Sequence, residues 1–168
     1  MNLEQLRLLV EKLRHLQHRL VLAESCTGGL VAARLTSIAG VSEIFCGSMV
    51  TYREATKREW LAISSADLQA FTAVSREVTR DMGRSVLTAT PEASIAAAVT
   101  GHLGPNAPGG FDGTIFVAII RREIATNGDP LLVERKFSLA GADRETRQAE
   151  AADFVLGLID EVSESPPS

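Results

Sequence analysis

The stretch from Ala23 to Leu30 combines residue types that could carry chemistry, because it reads Ala-Glu-Ser-Cys-Thr-Gly-Gly-Leu. An apolar run precedes it and helically spaced apolar residues follow it, so the sequence predicts a strand, a tight turn and a helix start. Such a junction places small polar side chains beside the free N–H groups of a helix N-terminus. The paired glycines Gly28 and Gly29 let a ligand approach the backbone closely. The segment is therefore a candidate for binding an anion or for holding a nucleophile under an oxyanion.

Two side chains in this turn are candidate nucleophiles, and each also has a simpler structural interpretation. Ser25 could attack a substrate, or its hydroxyl could cap the following helix, and the turn alone favours the cap. Cys26 could also attack, but a cysteine in this setting is more often a small buried apolar side chain.

Further candidates lie later in the chain. Lys57 could act as a base if it is partly desolvated, although most lysines are solvated surface charges. Tyr52 precedes it at a predicted strand end, where packing is the simpler role. Thr100 and Gly101 end a buried strand, where α/β proteins tend to bind ligands. Arg144, at the start of a helix, could contact a phosphate or could be a solvated surface residue.

The sequence argues against a metal site and against several common nucleotide-binding and catalytic motifs. His15 and His18 lie three residues apart without Cys or carboxylate partners at ligand spacing, so they are interpreted as surface residues and not as a metal site. His102 begins a long glycine- and proline-rich loop, and loops of this length are usually functional or disordered. The chain contains no phosphate-loop, dinucleotide-binding or Gly-x-Ser-x-Gly motif.

The elements that must position these residues alternate between helix and strand. This alternation predicts a three-layer α/β/α domain with a mixed, mostly parallel sheet, in which the consecutive late strands supply an antiparallel pair. The predicted helices span residues 3–18, 28–38, 54–61, 76–88 (capped by Ser75) and 144–163 (capped by Asp143). The predicted strands span residues 19–24, 47–52, 94–99, 115–121 and 132–137. Residues 127–130 are predicted to form a turn and residues 165–168 a disordered tail, which leaves residues 1–164 as one domain.

Composition narrows the class of protein. The chain has 168 residues, 45% of them hydrophobic, and a net charge of −4, which argues against broad nucleic-acid binding. Two cysteines do not make a disulfide framework, so a reduced cytoplasmic setting is expected. No secretory signal and no membrane-spanning run is recognised in the sequence.

Several segments together resemble the CinA C-terminal domain family, the nicotinamide-nucleotide amidases. They occur in the family's order and cover nearly the whole chain, and the first is the most specific. The matching segments are residues 23–29, residues 47–57 with Tyr52 and Lys57, residues 73–78, residues 98–101 with Gly104-Pro105, Gly113-Thr114, and Asp143-Arg144.

The resemblance implies hydrolysis of the carboxamide of nicotinamide mononucleotide to nicotinic acid mononucleotide and ammonia. It places the family's serine at Ser25, tyrosine at Tyr52, lysine at Lys57, threonine at Thr100 and arginine at Arg144. Arg147 remains an alternative for the last role. The resemblance also implies a homo-oligomer and a small-molecule nucleotide as the partner.

The loop after Thr100 departs from the family pattern. The family usually has Ile-Ala where this chain has His102-Leu103, and a glycine run where it has residues 106–108. A changed ligand-binding loop leaves open a different carboxamide substrate or a loss of activity.

A serine mechanism follows as the expectation. Ser25 would attack the carboxamide, and Lys57 would take its proton directly or through Tyr52. Backbone N–H groups near Thr27, Gly28 and Gly29 would hold the oxyanion. No metal or organic cofactor is required. In the same hypothesis, Thr100, the loop from Gly101 through His102 to Gly113, and Arg144 would hold the ribose and phosphate.

Two other function classes are weighed against this one. In a non-catalytic nucleotide-binding module, Ser25 is only a cap and the glycines bind a phosphate. A DNA-uptake role rests only on the family's historical name, and the net charge argues against it.

Overall fold

A five-stranded mixed sheet forms the middle layer of the molecule, in the order β2-β1-β3-β4-β5. The structure, a computed structural model, describes residues 1–122 and 131–163. Strand β1 pairs in parallel with β2 and β3, whereas β4 pairs antiparallel with both β3 and β5. Four of the five strands therefore run in one direction, which confirms the predicted mixed α/β sheet. The strands are β1 (Leu20–Glu24), β2 (Phe45–Val50), β3 (Ile95–Gly101), β4 (Thr114–Arg121) and β5 (Leu131–Ser138).

Within the described residues, six α-helices cover the two faces of this sheet. They are α1 (Leu3–His15), α2 (Leu30–Thr36), α3 (Glu54–Leu61), α4 (Ser65–Phe71), α5 (Arg76–Ala89) and α6 (Arg144–Val162), and a short 3₁₀ helix spans Val41–Glu43. Helix α3 has the predicted bounds, and Ser75 and Asp143 cap α5 and α6 as predicted. Helix α4 was not predicted. The predicted turn at 127–130 and tail at 165–168 lie outside the described residues.

Alternating residues along β1 separate the two cores. Leu20 and Leu22 face the layer of α1, α2 and α6, whereas Val21 and Ala23 face the layer of α3, α4 and α5. This period of two is what a strand buried on both faces requires. Because β1 is a central strand covered on both faces, the segment that follows its carboxyl end is held in a fixed position.

The first helix ends earlier than predicted, and His18 is consequently misplaced in the sequence interpretation. The chain leaves α1 through Gln17, which has a φ of 57°, and the amide of His18 donates to the carbonyl of Leu13 at 2.9 Å. This is a Schellman ending. His18 is fully buried and its Nδ1 lies 3.0 Å from the hydroxyl of Ser94. The prediction of a surface His18 is therefore wrong, whereas His15 is exposed as predicted.

The connections of β1 create a crevice at its carboxyl end. The chain passes from β1 through α2 to β2 on one face, then returns through α5 on the other face to β3, on the opposite side of β1. Such a switch point is where open α/β sheets bind ligands. Among the described residues, no helix has the length and apolar character needed to cross a membrane.

Candidate active site

A cleft of about 220 Å³ opens at the carboxyl ends of β1 and β3. It contains several of the residues that the sequence analysis selected, together with the loop that follows β3. Its lining consists of Ser25, Cys26, Tyr52, Lys57, Ala73, Val74, residues 101–107 and Arg144. The cleft therefore joins the segment after β1, the start of α6 and the glycine- and proline-rich loop, which are far apart in sequence.

Ser25 and Lys57 form a buried pair at this cleft. The Nζ of Lys57 donates to the hydroxyl oxygen of Ser25 at 2.9 Å and also to the carbonyl oxygen of Thr51. The lysine is 1% exposed, and burial lowers its pKa to about 8. Glu54 opposes this change by a smaller electrostatic contribution that raises the pKa. The pair can thus supply a hydroxyl beside an amine that loses its proton near pH 8.

Ser25 does not cap the following helix. Helix α2 begins after its N-cap residue Gly29, which adopts a φ of 97° that favours glycine. Glycine has no side chain that could cap the helix. The carboxylate of Glu24 instead accepts from the amides of Gly29, Val31 and Ala32 at 3.0 to 3.2 Å. The capping interpretation of Ser25 is therefore wrong, and its hydroxyl is left to Lys57.

The same contacts correct the expected oxyanion donors. The amide of Gly28 donates to the carbonyl of Ser25 at 3.1 Å, and the amide of Gly29 donates to Glu24. These two N–H groups already serve the turn, so the expectation that they face a substrate oxyanion is wrong for this geometry. The Thr27 side chain is buried, and its hydroxyl donates to Glu24 at 2.8 Å. None of the residues Thr27, Gly28 and Gly29 lines the cleft.

Cys26 follows Ser25 but has the wrong chemistry for a nucleophile. Burial raises the pKa of its thiol to about 12, against smaller lowering contributions from its own amide and that of Thr27. A thiol is reactive only as the thiolate. Cys26 belongs to the apolar core on the α1, α2 and α6 side, which agrees with the simpler interpretation of this residue.

Tyr52 and Arg144 meet at the mouth of the cleft. Arg144 donates through Nη2 to the hydroxyl of Tyr52 at 2.8 Å and through Nη1 to the carbonyl of Gly104 at 2.6 Å. Tyr52 is 59% exposed and lies at the rim of the cleft, whereas Lys57 is buried. The structure pairs its hydroxyl with an arginine, and the contact between Lys57 and Ser25 is direct.

Arg147, the alternative to Arg144, is held away from the cleft lining. Its guanidinium forms two bonds to the carboxylate of Asp112 at 2.9 and 3.0 Å, and it also donates to the carbonyl of Gly141. Between the two arginines, only Arg144 lines the cleft. Arg147 instead ties the loop before β4 to helix α6.

Thr100, near the carboxyl end of β3, is buried on the face of the sheet that α5 covers. Its hydroxyl lies 2.7 Å from that of Thr79 on α5, and it does not line the cleft. Its contact with substrate stays a prediction, and this geometry does not favour it. Gly101 does line the cleft, and a side chain there would come within 2.5 Å of Ile115 Cγ2 and 3.1 Å of Cys26 Sγ.

His102 forms part of the cleft wall. Its ring meets the ring of Phe111 edge-on at a centroid distance of 6.2 Å, and it also borders a second, apolar cavity. Burial lowers the pKa of His102, so a neutral imidazole is expected near pH 7. The residue that departs from the family pattern thus lies in the wall of the cleft. Across the described residues, no group of His, Cys, Asp and Glu could hold a metal ion.

Two residues that shape the turn were not among the candidates predicted from the sequence. Glu24 caps α2, and Gln148 on α6 donates its amide Nε2 to the carbonyl of Thr27 at 2.9 Å. Glu24 ends the predicted strand and lies five residues before the N-cap residue Gly29, so no local capping pattern identifies it. No local signal identifies Gln148, because its partner lies 121 residues away.

Fold and site together define an α/β protein with a buried serine–lysine pair at the switch point of its sheet. The family model of the CinA C-terminal domain matches residues 3–163. The chain belongs to the CinA C-terminal domain family, as its sequence resemblance suggested.

Several known proteins are similar to this chain. A CinA-like protein of Chlorobium phaeovibrioides is 41% identical over 153 residues, which are 90% of this chain and 35% of that protein. A protein of Enterobacter agglomerans named nicotinamide-nucleotide amidohydrolase PncC is 38% identical over 136 residues, 80% of this chain and 78% of its own length. The chain thus spans about a third of the CinA-like relative but most of the named amidohydrolase.

Solved structures share the fold. Competence damage-inducible protein A from Klebsiella pneumoniae superposes with a TM-score of 0.85 at 30% identity and covers 96% of both chains. The competence/damage inducible protein CihA from Agrobacterium tumefaciens gives a TM-score of 0.84 at 30% identity, covering 96% of this chain and 95% of its own.

Proposed function

We propose that this chain is a serine amidohydrolase that converts nicotinamide mononucleotide to nicotinic acid mononucleotide and ammonia. The observation that carries the proposal is the 2.9 Å hydrogen bond between the buried Lys57 amine and the Ser25 hydroxyl. The similarity to a protein named for this activity supplies the substrate. No metal or organic cofactor takes part in the proposed reaction.

The first half of the reaction forms an ester on Ser25. Neutral Lys57 takes the hydroxyl proton as Ser25 Oγ attacks the carboxamide carbon, which gives a tetrahedral oxyanion. We assign the oxyanion to the amide of Cys26, which lines the cleft directly after the nucleophile, because the amides of Gly28 and Gly29 serve the turn. Lys57 then returns the proton to the leaving nitrogen, and ammonia departs.

The second half uses water. Lys57, again neutral, takes a proton from water as the oxygen attacks the ester carbon, and the proton returns to Ser25 Oγ when the ester bond breaks. The direct contact of Lys57 with Ser25 favours a mechanism without Tyr52 as a relay. Tyr52 is instead assigned to positioning Arg144, which would contact the substrate phosphate.

The binding-module alternative loses its main argument because Glu24, and not Ser25, caps α2. An assay that measures binding and turnover together separates the two functions. The purified chain is mixed with nicotinamide mononucleotide, nicotinamide riboside and nicotinamide, and released ammonia is followed beside calorimetric binding. We expect ammonia and the carboxylate product in equal amounts from the mononucleotide. Tight binding without ammonia from any of the three would reject the amidohydrolase and support the module.

A further inference from the structure

Glu24 is a buried carboxylate directly before the proposed nucleophile, and it is 1% exposed. Its two oxygens together accept five hydrogen bonds. Oε2 accepts from the Thr27 hydroxyl and from the amides of Gly29 and Val31, and Oε1 accepts from the amide of Ala32 and the hydroxyl of Ser48. A buried carboxylate is costly unless such donors satisfy it.

These bonds connect three separate elements to one side chain. The donors lie in the turn after β1, in the first turn of α2, and on β2. The main chain of Glu24 is also fixed, because its carbonyl accepts from Thr51 at 2.8 Å. That contact matters because the carbonyl of the same Thr51 accepts from Lys57 Nζ. The backbone on either side of the serine–lysine pair is therefore held through Glu24.

We propose that Glu24 is a positioning residue that sets the geometry of Ser25 against Lys57. It does not contact substrate or exchange a proton. It fixes the path of the turn that carries Ser25 by accepting hydrogen bonds from the amides at the N-terminus of α2. Because Glu24 caps this helix, the hydroxyl of Ser25 is free to accept from Lys57. The reaction it serves is the one proposed above, on which this inference rests.

The glutamine variant is the sharpest probe because it keeps the size of the side chain. Glu24→Gln removes the charge and replaces one acceptor oxygen by an NH₂ group, which would face at least two of the five donors. We expect kcat for nicotinamide mononucleotide to fall about 10- to 100-fold with an unchanged KM, because a small displacement of a nucleophile has effects of this size.

Milder variants separate positioning from stability. Ser48→Ala removes one of the five bonds, and we expect a fall in kcat of about two- to tenfold. Val10→Ala, on the buried face of α1 and outside the cleft, is the matched control for lost stability. It should lower the thermal midpoint without changing kcat of the folded protein. If Glu24→Gln does not fold, Ser48→Ala carries the test, and a wild-type kcat in that variant would overturn the proposal.

A second readout keeps this inference distinct from the proposed function. A fluorophosphonate that labels activated serines is added to each variant, and the labelling rate of Ser25 is measured by intact mass and peptide mapping. Slower labelling in Glu24→Gln than in Val10→Ala is expected even if nicotinamide mononucleotide is not the substrate. Hydrolysis of the mononucleotide with equal labelling and equal kcat in wild type and Glu24→Gln would overturn the positioning role and leave the amidohydrolase intact.

Discussion

At the scale of single residues, burial of Lys57 determines what the site can do. The lysine points into the protein, where its amine meets a serine hydroxyl and a backbone carbonyl. Removal from water disfavours the charged ammonium and lowers the pKa to about 8. A lysine with this pKa is partly neutral at physiological pH and can then accept a proton, whereas an exposed lysine is almost entirely charged.

The first prediction concerns the identity of this base. Lys57→Arg should lower kcat about 100- to 10,000-fold, almost as much as Lys57→Ala, because arginine keeps the charge but does not lose its proton. Ammonia release under saturating substrate measures the effect. Lys12→Arg is the matched control, because Lys12 pairs with Asp160 outside the cleft. Substantial turnover by Lys57→Arg would rule out the general base and favour a lysine that binds phosphate.

The second prediction concerns pH. Neutral Lys57 is the active form, so kcat/KM should rise with pH through a midpoint near 8, the value to which burial lowers the pKa. Glu54 raises this pKa, so Glu54→Gln should move the midpoint to lower pH. Initial rates between pH 6 and 10 give both midpoints. A rate that falls with rising pH in this range would contradict the assignment.

The third prediction concerns His102 in the cleft wall. A neutral imidazole offers one donor and one acceptor, and the isoleucine usual in the family offers neither. His102→Ile should therefore change the ratio of kcat/KM between carboxamide substrates more than it changes the thermal midpoint. His15→Ile on the exposed face of α1 provides the control. Identical ratios across the substrate panel for wild type and His102→Ile would show that this residue does not determine specificity.

At the scale of elements, the sequence located the site better than it assigned the side chains within it. The apolar run before Ser25 and the glycines after it were enough to place a strand end and a helix start. The capping residue of α2 was misassigned, because a serine in such a turn is usually the cap and Glu24 could be recognised only from its five donors. Thr100 was placed at the correct strand end. The sequence did not predict that its side chain faces Thr79 on α5, because that depends on how β3 is placed in the sheet.

The fourth prediction concerns helix α6, which carries both candidate arginines. Arg144→Ala should raise KM for nicotinamide mononucleotide more than for nicotinamide riboside, because only the former has a phosphate. Arg147→Ala should change both values by a similar factor, since it acts through the bond to Asp112 and the loop. Steady-state kinetics with the two substrates distinguish these outcomes. The reverse pattern would assign the phosphate to Arg147.

At the scale of the whole molecule, the order of the strands creates the site. The alternation of elements predicts a three-layer α/β fold, but it does not determine that β1 lies between β2 and β3. That order closes the distance between Ser25 and Lys57, which are 32 residues apart in the chain. Long-range proximity of this kind depends on the packing of the whole sheet. The sequence alone could therefore identify Ser25 and Lys57 as candidates, but it could not predict the distance between them. That residues 1–164 form one domain, and that copies of the chain associate, stay predictions.

The most direct test of the account replaces the nucleophile in the otherwise intact protein. Ammonia released from nicotinamide mononucleotide is measured for wild type, Ser25→Ala and Cys26→Ser, with circular dichroism confirming that all three are folded. We predict that Ser25→Ala loses nearly all activity, because the ester intermediate cannot form, whereas Cys26→Ser retains much of it. A folded Ser25→Ala protein that releases ammonia at the wild-type rate would contradict the serine–lysine mechanism.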